Sequence, residues 1–288
     1  MRNCPVCDSR PKCLAFPYTT KFSSEQFNYV KCAGCSSVFV DPVPQRATFE
    51  AIYNKSAYHD LHYAGRESPH YLNSVLLLQQ YISKGSKVLD YGCGIGSFLR
   101  ICNSHGLIPF GVEFDQDAAL FARKNADCDV LTVESFRKLD ESPIFDAIHL
   151  GDVLGHLPDP CETLKQLLRL LKPEGVLFVE GPLEMNPSVV FWVARLVGML
   201  KRFMRPKSMS VDPPTMLFQV DAATQRLFFT RVSERLRVVD WQVYETGWPY
   251  ANGGKVKRFI ATIAVWLSGR NCFGFTFGNR FRAIIINT

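Results

Sequence analysis

The sequence predicts an α/β protein: a doubly wound, mostly parallel sheet preceded by a small module held by cysteines. Three observations predict it. From Lys87 onward, short apolar runs alternate with longer amphipathic ones, the pattern of strands crossed over by helices. Glycines and acidic residues gather where the apolar runs end, which in such sheets is the ligand-binding edge. Four cysteines stand as two Cys-x2-Cys pairs within the first 35 residues. At 288 residues and 47% hydrophobic, the chain can bury one substantial core and carry an accessory module.

The cysteine module comes first. Cys4 and Cys7 form one pair, Cys32 and Cys35 the other. Each pair makes a tight knuckle presenting two thiolates to one Zn²⁺, and two knuckles complete a tetrahedral sulfur shell, so residues 1–40 read as a zinc ribbon rather than as four ordinary thiols. A closed four-thiolate shell leaves no position for a substrate. Its expected job is structural, replacing the core that about 40 residues cannot build. Cys13 is a spare thiol.

Residues 41–64 form a connector that opens on "DPVPQ" and ends on "YNKSAYHDLHY". It is either a lid across an active site, with Tyr58, His59, His62 and Tyr63 as its functional groups, or a packed linker whose aromatics cover the next domain. The large domain then runs over 65–288. "PHYLNSVLLLQQYISKG" is a helical apolar pattern closed by Gly85. "KVLDYG" is a strand, "SFLRICNSHG" a helix ending at Gly106, "IPFGVEF" a strand, and "DQDAALFARKNA" a helix with an acidic first turn. "CDVLTV" and "FDAIHLG" continue the strands, "DPCETLKQLLRLLKPEG" is a helix stopped by Pro173, and "GVLFVEGP" is a fifth strand. A cap insertion at about 184–222 contributes an apolar, basic helix and a proline-rich loop. The helix "DAATQRLFFTRVSERL", the strand "RVVDWQVYE", the apolar segment "FIATIAVWLSG" and the strand "NRFRAIIIN" complete the chain.

Composition narrows the setting. The start "MRNCPVCDSRPKC" lacks the apolar run of a signal peptide, and no apolar stretch is long enough to span a bilayer. A cytoplasmic location is therefore expected, where clustered cysteines read as metal ligands rather than disulfides. The formal net charge of +6 tilts toward anionic partners without choosing among them.

The stretch "VLDYGCGIGS" carries the chemistry. Its glycines Gly92, Gly94 and Gly96 miss the G-x-G-x-x-G spacing of a dinucleotide loop, and no Lys-Ser/Thr pair follows as a phosphate loop requires. Asp90 stands immediately before them. A carboxylate there repels a pyrophosphate and attracts a cation. Glu113 ends the next strand, where it can accept hydrogen bonds from two ribose hydroxyls or stand as a solvated strand-end acid. A ligand with an ammonium group near the loop and a ribose beyond it is S-adenosylmethionine.

From "VLDYGCGIGSFL" through "PFGVEFDQDA" and "FDAIHLGDVLGHLPDP" to "LLKPEGVLFVEGP", the sequence resembles the class I, Rossmann-like S-adenosylmethionine-dependent methyltransferases. The resemblance covers roughly Ser83 to Pro182 and implies a seven-stranded sheet with an antiparallel final strand. It implies that Asp90, Gly92, Cys93 and Gly94 hold the methionine moiety and Glu113 the ribose. Phe114 would flank the adenine, with Glu134, Ser135 and Phe136 beside it, and Asp152 would line the cleft near the methionine end. With its cysteine module, the whole chain is similar to zinc-ribbon methyltransferases of bacterial sugar and polysaccharide biosynthesis. That wider likeness implies a small anionic acceptor such as a nucleotide-linked sugar.

Methyl transfer needs alignment above all, and a base only where the acceptor loses a proton. His156 in "VLGHLPDP" is the candidate base, because imidazole titrates near neutrality and relatives often carry histidine there; it is otherwise a structural histidine before Pro158. His149, inside a strand, is expected to be a satisfied core residue. Relatives commonly carry another histidine before the C-terminal helix, but "DPPTMLFQVDAAT" has none. The basic helix 189–205 is either a cap with a solvated face or a peripheral membrane contact. Two other readings stand beside the leading one: a ribosomal-RNA-type methyltransferase using the ribbon to bind nucleic acid, and a non-catalytic binding module. The ribbon lacks a dense basic stripe, and "GDVLGHL" lacks the motif of amino-group methylation on bases, so nucleic acid is a disfavoured partner. Oligomeric state is left open.

Overall fold

The computed structural model describes residues 1–53, 69–138, 142–204, 213–272 and 274–288. Tyr58, His59, His62 and Tyr63 lie outside the described residues, as do residues 205–212.

The N-terminal module is a hairpin of β1 (Pro11–Phe22) and β2 (Glu25–Cys32), followed by β3 (Val38–Asp41). Its sheet does not end there. β9 (Phe218–Gln219) adds on antiparallel to β3, giving the order β1-β2-β3-β9. Cys4, Val6, Val30, Cys32 and Phe39 share one apolar core with Leu89, Ile148 and Phe228 of the large domain. Between the two lies α1 (Arg46–Tyr53).

The large sheet is built as the alternating pattern implies. Its strands are β4 (Lys87–Tyr91), β5 (Ile108–Glu113), β6 (Asp129–Thr132), β7 (Phe145–Gly151), β8 (Leu171–Pro182), β10 (Leu236–Tyr244) and β13 (Arg280–Asn287). They lie in the order β10-β13-β8-β7-β4-β5-β6. β4 to β8 are mutually parallel, and the final strand β13 runs antiparallel to both of its neighbours. The predicted fold class is thus observed. Central strands are buried on both faces, which is why "KVLDY" and "VLFVEG" read as nearly continuous apolar runs.

Helices cover both faces: α2 (Pro69–Leu78), α3 (Ser97–Ser104), α4 (Gln116–Ala126), the single turn α5 (Val133–Phe136) and α6 (Pro160–Leu170). Side-chain caps set the starts of α4, α5 and α6. Asp115 accepts from Ala118 N–H and Asp159 from Glu162 N–H, the latter with Pro160 in the first helical position. One boundary differs from expectation. The helix stops at Leu170, and β8 begins at Leu171, ahead of Pro173. Glu174 turns with φ of 58°, and the register to β7 shifts between Phe145 and Ala147. A proline disfavours helical geometry in the residue before it, so the chain leaves the helix early. Two more long helices follow β8, α7 (Val189–Met204) and α8 (Ala222–Val232). After β10 come α9 (Lys255–Trp266) and a short ribbon of β11 (Asn271–Cys272) with β12 (Phe275–Thr276).

Candidate active site and metal centre

The glycine turn joins β4 to α3 and wraps over the end of β5. Gly92 and Cys93 N–H both donate to Val112 O, at 2.8 and 3.0 Å. Gly94 N–H donates to Glu113 Oε2 at 2.7 Å, while Oε1 takes Phe114 and Asp115 N–H at 2.8 and 3.1 Å. Glu113 therefore ties the loop to the strand end with its charge fixed at the crossover. Gly92 has φ of 82°, and a Cβ there would come within 2.4 Å of Val153. Only glycine lets this turn pass so close to the β7 loop.

Asp90 does not project from this edge. It is 3% exposed, and His149 Nδ1 donates to its Oδ1 at 2.8 Å. His149 is its register partner on the adjacent strand. On the far side of the ring, His149 Nε2 stands 3.5 Å from Glu180 Oε1, outside hydrogen-bond geometry among the described groups. Ser74 Oγ is 3.0 Å from each oxygen of Glu180. Phe98 stacks on the imidazole at 3.9 Å. Burial pulls the ring toward neutrality, but the Asp90 and Glu180 carboxylates outweigh it and raise His149 to about 9. The centre of the sheet thus favours the protonated form of a ring set between two carboxyl groups.

Cys93 is buried beside Leu99 and Ala122, its thiol pushed well up by burial and then by Asp90 and Glu113. Asp152, just beyond β7, has φ of 58° and is half exposed; Arg280 Nη2 donates to its Oδ1 at 2.6 Å from the start of β13. Phe114 meets α1 edge-on, 5.2 Å from Phe49. Arg46 of α1 pairs with Glu134. The described part of the connector therefore lies across the adenine-side edge expected from the resemblance. Ser135 sits in the turn capped by Thr132. Phe136 does not join Phe114: it is buried edge-on to Tyr91 at 5.8 Å.

His156 lies on a short 3-10 turn, Leu154–His156. Its Nδ1 is 2.8 Å from Thr215 O and 3.0 Å from Tyr53 Oη. A carbonyl can only accept, so Nδ1 carries the hydrogen and Nε2 is the basic nitrogen.

Beyond the carboxyl ends of β7 and β8 opens a cleft walled by Asp152, Glu180, Glu184, Phe218, Gln225 and Phe281. Burial raises Glu184 to about 7. Glu184, Glu180 and Arg280 were not singled out from the sequence. The available signal was a charge within the apolar strand "VLFVEGP" for Glu180 and at the start of "RFRAIIIN" for Arg280; Glu184 carries no such signal.

The four cysteines do converge. Their sulfur atoms all lie within 4.8 Å of one another, with Cys4 and Cys35 at 3.7 Å and Cys7 and Cys32 at 3.4 Å. Sulfurs around a tetrahedral ion with bonds of about 2.3 Å sit near this spacing. Backbone N–H groups of Val6, Gly34 and Cys35 point at the sulfurs of Cys4 and Cys32. The Cys4 thiol is drawn down to about 4 by its hydrogen bond with Cys35. The donor set can hold a metal ion.

A family model described as "Methyltransferase domain" matches residues 62–220. A ubiquinone biosynthesis O-methyltransferase from Glaesserella parasuis is 36% identical over 105 residues, 33% of this chain and 44% of that protein. One from Coxiella burnetii is 34% identical over 131 residues, 40% and 53% of the two chains. The chain thus spans about half the length of these curated relatives. Among solved structures, magnesium protoporphyrin IX methyltransferase from Synechocystis, with bound SAH, superposes with a TM-score of 0.54 at 13% identity, covering 85% of this chain and all of that one. A SAM-dependent methyltransferase from Archaeoglobus fulgidus gives 0.51 at 20% identity, covering 81% and 98%. These likenesses show a shared fold.

Proposed function

Because the chain belongs to the methyltransferase domain family, whose model covers more than half of its residues, we propose that it is an S-adenosylmethionine-dependent O-methyltransferase acting on an uncharged hydroxyl group. The observation that carries this reading is Glu113, held at the crossover against the glycine turn by Gly94 N–H. A carboxylate has about four lone-pair sites, so Glu113 can keep its backbone contacts and also accept from a ribose hydroxyl. Phe114 beside it offers a flat apolar face to a purine. The carboxyl groups of Asp90 and Glu113 both push up the Cys93 thiol within the turn, the mark of a negative field at the glycine loop. Such a field favours a cationic donor and disfavours a pyrophosphate. Bound there, S-adenosylmethionine supplies a methyl group already activated by its positively charged sulfur.

The acceptor reading rests on the cleft. Asp152, Glu180 and Glu184 on its walls oppose the phosphates of a nucleotide-linked sugar, the acceptor that the wider zinc-ribbon resemblance implies. An uncharged sugar or ring hydroxyl meets no such repulsion, and the relatives named O-methyltransferases support oxygen as the acceptor atom. Glu184 takes the hydroxyl proton. It is ionised in a useful fraction at neutral pH and remains basic enough to accept a proton. His156 is the second candidate, through Nε2. Cys4, Cys7, Cys32 and Cys35 hold a structural Zn²⁺ in this reading.

The test is incubation of the pure protein with methyl-labelled S-adenosylmethionine and a fractionated lysate. Label is expected in a neutral, hydroxyl-bearing product. Donor binding by calorimetry with label appearing only in anionic or nucleic-acid fractions would overturn the acceptor assignment; absence of donor binding would overturn the whole reading.

A further inference from the structure

α7 and α9 lie side by side and leave most of their surface uncovered. On α7, Val190 is the buried residue among those described, Trp192 meets Phe277 edge-on at 5.5 Å, and Gly198 admits the Phe16 ring of β1. A Cβ at Gly198 would come within 2.8 Å of that ring. α9 buries only Ala261 and Ala264 among its described positions. Outward stand Leu200 and Phe203 of α7 and Phe259 and Trp266 of α9, the two phenylalanines 87% and 66% exposed. Trp248, next to the Gly247 that packs against Ala261 of α9, is 71% exposed. Single exposed apolar residues are ordinary on protein surfaces, but two adjacent helices presenting large apolar side chains form a contiguous patch, and such patches mark interaction sites.

Charge identifies the occupant. The sequence has no Asp or Glu from Val189 to Met204, and none from Thr246 to Thr288. The same two segments carry Arg195, Lys201 and Arg202, and Lys255, Lys257, Arg258 and Arg270. The Arg270 guanidinium lies 4.0 Å from the Trp266 ring centre, placing a cation at the edge of the apolar surface. A second copy of this chain would bring the same positive charge against itself. A water-bilayer boundary with anionic headgroups satisfies both features at once: phosphates meet the basic rim, and aromatic side chains enter the headgroup region. No described helix is long and apolar enough to cross a membrane.

We propose that the α7–α9 face docks this protein on the anionic surface of a lipid bilayer. Neither helix belongs to the donor-binding edge, so the surface stands independently of the methyl-transfer reading.

The full chain is mixed with sucrose-loaded vesicles of phosphatidylcholine alone, or with about one-third phosphatidylglycerol, and sedimented. Partition is expected to be at least about tenfold stronger on the anionic vesicles and to weaken as salt is raised. Phe259→Ser with Trp266→Ser should reduce it about tenfold, and Lys257→Glu with Arg258→Glu should abolish the preference for phosphatidylglycerol. Unchanged circular dichroism and donor affinity establish that these variants fold. Negligible sedimentation with both vesicle types overturns the proposal. So does a dimer in sedimentation equilibrium that Phe259→Ser disperses while vesicles capture nothing; the face is then a contact between copies.

Discussion

Asp90 and His149 are register partners on adjacent parallel strands, and their side chains meet at 2.8 Å in the interior of the sheet. With Glu180 beyond the ring, this sets a histidine of raised pKa on the strand paired with the one that leads into the glycine turn. The arrangement links the sheet's stability to the electrostatics of its ligand edge.

The pH dependence of folding follows. His149 is raised from 6.5 to about 9, so the protonated ring is favoured in the folded state. Its stabilisation is full below pH 6.5 and is lost as pH rises through about 9. Thermal unfolding should therefore show Tm falling across that window. His149→Asn should lower Tm at neutral pH, because Asp90 and Glu180 lose their cation, and should flatten the slope. A wild-type slope retained in the variant would refute the assignment.

Glu184 gives the opposite sign for stability. Its folded value of about 7 lies above the ordinary 4.5, so ionisation is disfavoured by folding and the cost grows as pH rises from 4.5 to about 7. Glu184→Gln should be more heat-stable than wild type at pH 8, yet about 10²–10⁴-fold slower in methyl transfer. Donor affinity should not change. In wild type, kcat/KM should climb through about pH 7; a profile that follows His156→Gln instead would move the base to the histidine.

Glu113→Gln should weaken S-adenosylmethionine binding by about ten- to a hundredfold, the scale of a hydrogen bond to a charged group. Gly92→Ala places a methyl group within 2.4 Å of Val153 at a positive φ. It should cost about 1–2 kcal/mol of stability from backbone strain alone and also impair binding. Calorimetric titration and thermal melts separate the two effects.

Metal analysis of the pure protein should find one zinc ion per chain, lost in Cys35→Ser. Because Cys4, Val6 and Cys32 share a core with Leu89 and Ile148, chelation should lower the melting temperature of the whole chain rather than release a ribbon from an intact domain. Two separate transitions after chelation would contradict this.

The strands and helices from Lys87 to Pro182 were legible because each carries its own period, and Asp115 and Asp159 start helices that local sequence already marks. The convergence of two Cys-x2-Cys pairs was legible from spacing. What local pattern does not carry is register. That Asp90 faces His149, that Glu180 stands behind it, and that Arg280 reaches Asp152 depend on which strands become neighbours, over separations of up to 128 residues. Asp90 reads in sequence as an acid facing a ligand; the sheet turns it inward. Phe136 reads as a stacking group, and its single helical turn directs it at Tyr91.

Phe218 and Gln219 close the sheet that carries Cys32, and the same two residues wall the cleft beside Glu184. One short strand thus belongs to both places, and whatever fixes it for one must fix it for the other. Thermodynamic reciprocity then requires that, if an occupied cleft raises the affinity of the four cysteines for a metal ion, an ion held there raises the affinity of the cleft by the same factor.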